Sequence, residues 1–140
     1  MRLYGPVGAR NFPADRNPTT IALGSSTLTV TGGTSGNTAL YIAPAGRRAI
    51  LNYDVEMIVS AALAAAQNAF VQCAVTPSGG ASNNAAQGKL LGATALGVSK
   101  RVSGTIQLKP GDQALTGGTL IAGAGTIDVS GGLEGIEYDS

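Results

Sequence analysis

Asp54 and Glu56 stand two residues apart in a run of strict alternation, so an extended strand puts both carboxylates on one face. A carboxylate pair is the minimum equipment for glycosidic acid–base chemistry when its separation and surroundings suit the reaction. The intervening positions Ala49, Leu51, Tyr53, Val55, Met57 and Val59 are apolar, and alternating acids on a strand with an apolar back are ordinarily its solvated face. Asp112 and Asp128 are the acids that could join Asp54 and Glu56 around a hard cation, but no calcium-loop spacing holds them together. The sequence contains no histidine and one cysteine. That removes the commonest general base, any His–Cys metal cluster and an intrachain disulfide. Cys73 lies between Val71 and Val75 in an alternating stretch and reads as a buried structural thiol. The glycine-rich stretch 117–125 ends without the lysine of a phosphate-binding loop and lacks a strand–turn–helix setting, so its glycines read as turn residues. No cofactor is implied.

Nine basic and eight acidic residues leave a net charge of +1, too little for electrostatic capture of nucleic acid. The adjacent Arg47 and Arg48 do not make a nucleic-acid footprint without a wider basic surface or stacking aromatics. A salt bridge at a sheet edge or subunit boundary is the expectation there. The charges are unevenly placed: Arg2, Arg10 and Arg16 open the chain, while Asp128, Glu134, Glu137 and Asp139 gather near its end. One end of the molecule can therefore attract the other end of a neighbour, less so at high salt. The N-terminus has neither a secretory nor a lipidation pattern. The most apolar stretch, 58–66, falls well short of the roughly 20 residues a spanning helix needs. Neither nucleic acid nor membrane is an expected partner.

The elements that must position these residues are short strands and tight turns. A chain of 140 residues with 21 glycines and 12% charged residues suits one domain of small-side-chain strands. Residues 1–18 carry Pro6, Pro13 and Pro18, with Tyr4, Val7 and Phe12 as anchors, and read as an extended arm. The arm either wraps its own domain or reaches a neighbour; residues 19–140 form the single β domain. A first strand runs from 19 to 31, interrupted at Gly24, Ser25 and Ser26 by a bulge or a turn. Residues 32–37 read as a loop, 39–42 as a strand and 44–46 as a turn. The clearest element is the alternating strand 49–59, in which Ile50 and Ile58 break the polar face and suggest cover by a sheet, an arm or another subunit. Residues 61–70 are locally helix-forming and read as either a short helix or a continued strand. Alternation resumes through Val71, Cys73 and Val75, and the uncharged stretch 78–87 reads as a solvent loop or a partly disordered excursion. Strands are expected over 93–99, 102–108, 113–115, 119–122, 126–129 and 133–138, with turns at 109–112, Gly117-Gly118 and 123–125. The whole is all-β, a β-sandwich or jelly roll with an extended N-terminal arm.

The run 41–51, Tyr-Ile-Ala-Pro-Ala-Gly-Arg-Arg-Ala-Ile-Leu, followed by Leu-Lys-Pro-Gly-Asp at 108–112, resembles small virion structural proteins of tailed bacteriophages. The resemblance covers about residues 19–137. It implies a β module in a capsid decoration, head or tail accessory, or fibre-associated protein. Arg47 and Arg48 match the basic position after the first turn, and Pro110, Gly111 and Asp112 match the later turn. It carries over no active site. The implied function is a non-enzymatic decoration (cement) protein, located in the virion, that binds the particle surface and stabilises it. The alternative is a tail or fibre component that binds a receptor or glycan. The expected partners are further copies of the chain, as a trimer, and the major capsid protein or another virion protein. The expected interface residues are Arg2, Tyr4, Arg10, Phe12, Arg16, Arg47 and Arg48.

Overall fold

The computed structural model describes residues 16–24, 27–64, 68–92, 94–121 and 123–140. Among them the strands are β1 (Thr19–Leu23), β2 (Leu28–Thr31), β3 (Thr34–Ile42), β4 (Arg47–Ala61), β5 (Ala69–Thr76), β6 (Asn83–Leu90), β7 (Ser99–Leu108), β8 (Gln113–Leu120) and β9 (Thr126–Asp139). One sheet runs β1-β9-β4-β7, with β2 also paired to β9; the other runs β3-β8-β5-β6, and every pairing is antiparallel. β1 and β2 lie on successive stretches of the same neighbour, Leu23 opposite Leu133 and Leu28 opposite Val129. They are one edge strand broken after Gly24, as the Gly-Ser-Ser interruption foretold. Taken together they leave eight strands in two four-stranded sheets, and every connection except β5–β6 crosses between sheets. This is the jelly-roll form of the β-sandwich.

The core follows from β4. All six apolar odd positions, Ala49 to Val59, are buried, while Asn52, Asp54 and Ile58 are exposed on the other face. Leu51 and Tyr53 join Tyr41, Leu108 and Leu133 at one end of the sandwich; Val55, Met57 and Val59 join Val71, Leu120 and Ile127 at the other. Inward positions of β8 lie along the boundary, where Thr116 is fully buried and its Oγ1 shares a 2.9 Å hydrogen bond with Thr38 Oγ1. That bond satisfies a hydroxyl that burial would otherwise penalise.

Several local expectations change in tertiary context. Residues 34–37 belong to β3, leaving Gly32 and Gly33 as a two-residue turn. Residues 83–87 are the start of β6, an edge strand whose backbone pairs with β5 from Asn83 opposite Val75 to Leu90 opposite Ala69. Backbone pairing needs no apolar side chains, which is why this polar strand escaped detection. The described part of 61–70 contains no helix: β4 ends at Ala61 and β5 begins at Ala69, and 65–67 lie outside the described residues. Residues 94–98 are a loop pinned by Gly97 N–H to Val59 O at 2.9 Å and by Val59 N–H to Val98 O at 2.9 Å. Gly117 and Gly118 are not a reversal. They sit inside β8, where a Cβ on Gly118 would lie 2.6 Å from Val129 Cγ2, so the absent side chain lets the two sheets approach. The two final strands expected at 126–129 and 133–138 are one, continuous through Gly131 at φ +115°.

Candidate functional site

Arg47 follows the 44–46 turn at the start of β4, opposite Asp139 on β9. Its Nε donates to Glu137 Oε1 at 2.6 Å and its Nη1 to Asp139 Oδ1 at 2.5 Å. Its Nη2 donates to Asn17 O, Thr19 Oγ1 and Glu137 O. Tyr41 O–H, from the opposite sheet, donates to Glu137 Oε2 at 2.5 Å. The guanidinium thus ties the beginning of the described chain, the end of β9 and, through Glu137, the second sheet. Burial and the hydrogen bond to the Glu137 carboxylate both push the Tyr41 phenol well above its ordinary range. The site is a charged clamp closing one end of the sandwich.

Of the residues expected at an interface, Arg47 spends its donors within the chain. Arg48 is exposed on the outward face of the first sheet, opposite Tyr138. Arg16 sits beside the clamp, its carbonyl accepting Asp139 N–H at 2.8 Å. Arg2, Tyr4, Arg10 and Phe12 lie outside the described residues. Tyr41 and Glu137 were missed as partners; the available signal was parity, since Glu137 falls on the same alternation of β9 as the buried Ile127, Val129 and Leu133.

The expected carboxylate pair does not stand free. Asp54 is held by Arg101, whose Nε donates at 2.6 Å to Oδ1 while Nη2 contacts Oδ2. That hydrogen bond keeps the Asp54 carboxyl below its ordinary range. Asp112 accepts from the backbone N–H groups of Lys109 and Ser78, stabilising the 109–112 turn, and Asp128 accepts from Thr29. Among the described residues no group of three or more His, Cys, Asp or Glu side chains is placed to hold a metal ion. A depression of about 320 Å³ opens on the outward face of the first sheet, walled by Leu23, Asn52, Asp54 and Glu134 over Gly132. Cys73 is buried, and burial pushes its thiol up to about 11, as expected of a structural thiol.

The fold is thus a jelly roll in which Arg47, Asp54, Asp112 and Asp128 make contacts within the chain. No family model matches the chain, and no curated protein matches it. Solved structures do. The fold is similar to that of the infectious bursal disease virus Gx strain, with TM-score 0.52 and 12% identity over 89% of this chain and 33% of that chain. It is similar to a point-mutant VP2 protein of the same virus in derived T=1 particles, with TM-score 0.53 and 8% identity over 88% and 32%. A further T=1 particle structure from this virus gives TM-score 0.52 and 9% identity over 88% and 32%. The chain spans about one third of the length of these virus chains. At such identities the likeness is one of fold.

These matches correct the resemblance to tailed-bacteriophage proteins. The similar structures come from infectious bursal disease virus, and the bacteriophage assignment is withdrawn. The stretches that carried it, 41–51 and 108–112, are strand-and-turn architecture: the first brings Arg47 to the clamp, and the second is a turn closed by Asp112. Such short motifs serve any antiparallel sandwich.

Proposed function

We propose that the chain is a structural, non-enzymatic subunit of a virus particle. It acts by binding copies of itself, as a trimer, and another virion protein, and it decorates and stabilises the particle surface. The observation that carries this reading is the two-sheet strand order, a fold similar to virus particle chains over nearly the whole length. Fold alone does not assign function; the commitment of Arg47, Asp54, Asp112 and Asp128 to internal contacts supports an architectural role over chemistry. Residues 1–18 supply the docking arm, the last of them tied to the domain through the Arg16 and Asn17 carbonyls. Arg2, Arg10 and Arg16 meet carboxylates of a neighbour while Tyr4 and Phe12 anchor on its surface. The outward face of the first sheet provides such carboxylates at Glu56 and Glu134.

The test compares the full chain with a chain beginning at Arg16, because Arg16 and Asn17 carbonyls are tied to the domain's end. Circular dichroism and melting report the fold; sedimentation and binding to particles stripped of this protein report the role. The shortened chain should fold alike, bind particles with lower occupancy, and lose the salt sensitivity of the full chain's binding. Equal binding by both chains would remove the arm from the reading. Closed shells formed by the chain alone, seen by electron microscopy, would make it the shell itself rather than its decoration.

A further inference from the structure

Five of the eight large hydrophobic residues exposed among the described residues lie at one end of the sandwich: Ile58, Leu91, Leu96, Val98 and Ile121. Leu91 and Leu96 are 65% and 66% exposed, far more than isolated apolar residues at a loop base require. Their gathering is set by the topology. Leu90 and Leu120 pair with Ala69 from either side, which carries Leu91 and Ile121 out over the same edge of the second sheet. Gly97 and Val98 are bonded to Val59, which brings the β6–β7 loop beside the last residues of β4. The connections at this end, 32–33, 62–68, 91–98 and 121–125, contain no Asp, Glu, Lys or Arg. The opposite end carries Arg47, Glu137, Asp139 and Asp112.

We infer that this uncharged apolar end is the surface through which copies of the chain contact one another, like end to like end around a rotation axis. The inference rests on the reading that the chain self-associates, and adds where. The loops of this end contribute no charged group that a contact would have to strip of water, while Leu91, Leu96 and Ile121 contribute apolar surface whose burial favours association. Head-to-tail stacking is disfavoured because it would press apolar loops onto the clamp and strip water from its ions.

The experiment measures the mass of the full-length chain by sedimentation velocity and native mass spectrometry across a concentration series. The variants are Leu91→Asp with Leu96→Asp, and a control, Ile42→Asp, on the outward face of the second sheet, where Ile42 is 55% exposed. The wild type and the control should associate, and the double variant should stay monomeric, its dissociation constant raised at least tenfold with unchanged melting. An oligomer in the double variant equal to the wild type's would overturn the placement while leaving self-association standing. A wild type that is monomeric at every concentration would overturn self-association itself. Flotation with phosphatidylcholine vesicles provides the last arm: wild-type binding that the double variant loses would assign the end to lipid and overturn the assignment to a second copy.

Discussion

Tyr41 is a sensitive probe of the clamp because its phenol must stay protonated to donate to Glu137. In the unfolded chain it ionises near pH 10; in the folded protein burial and Glu137 hold the proton to higher pH. A group whose folded pKa is raised contributes stability that is present below the unfolded value and is lost as pH rises towards the folded one. The slope above pH 10 is therefore downward, by about 1.4 kcal/mol per pH unit for one proton. With an unfolding entropy of about 2.1 cal/mol/K per residue and a 140-residue chain, that lowers the melting temperature by about 5 °C per unit. Tyr41→Phe removes both the hydrogen bond and the titration. At pH 7 it should cost about 2 kcal/mol, typical of a hydrogen bond to a charged group. The gap between the two proteins should then narrow above pH 10 and close near pH ~11.5, the point at which that slope has removed ~2 kcal/mol. Thermal melts of both proteins between pH 8 and 11.5 measure it. Every other side chain is common to both proteins, so the difference isolates Tyr41. Parallel curves, with a constant gap throughout, would refute the buried donor.

Val55→Asp places an unpaired charge at a buried position and should cost more than about 5 kcal/mol, unfolding the domain, whereas Glu56→Ala should change stability by about 0.5 kcal/mol or less; equal loss of melting temperature would mean the faces of β4 are exchanged. Gly131 has φ +115°, and a Cβ there would stand 2.0 Å from Asp54 O, so Gly131→Ala should lower the urea midpoint by the equivalent of about 2 kcal/mol or more. Cys73, buried and with its thiol pushed up to about 11, should react with a thiol reagent at pH 8 only as fast as the protein unfolds; rapid labelling of the native chain would place it at the surface.

Much of this architecture is written locally. The alternation from Ala49 to Val59 assigned both faces of β4, because a strand's side chains have a period of two and water sorts them. The proline–glycine turns at 44–46 and 109–112 follow from backbone preferences that no neighbour needs to supply. The broken first strand was marked by Gly24-Ser25-Ser26. The sequence alone therefore determined the all-β class and the core strand. It could not decide what Gly117 and Gly118 do, since a glycine that permits a turn and one that lets two sheets close look alike until Val129 is found beside it. Nor could it detect β6, whose strand character comes from pairing with β5 rather than from its own side chains. The clamp was hidden for a related reason: Glu137 lies 90 residues from Arg47 and 96 from Tyr41, and only the pairing of β9 with β4 and the face-to-face closure of the sheets bring them within hydrogen-bond reach. Local preferences act over a few residues, while the ion cluster and the uncharged end are properties of strand order, which long-range pairing alone decides.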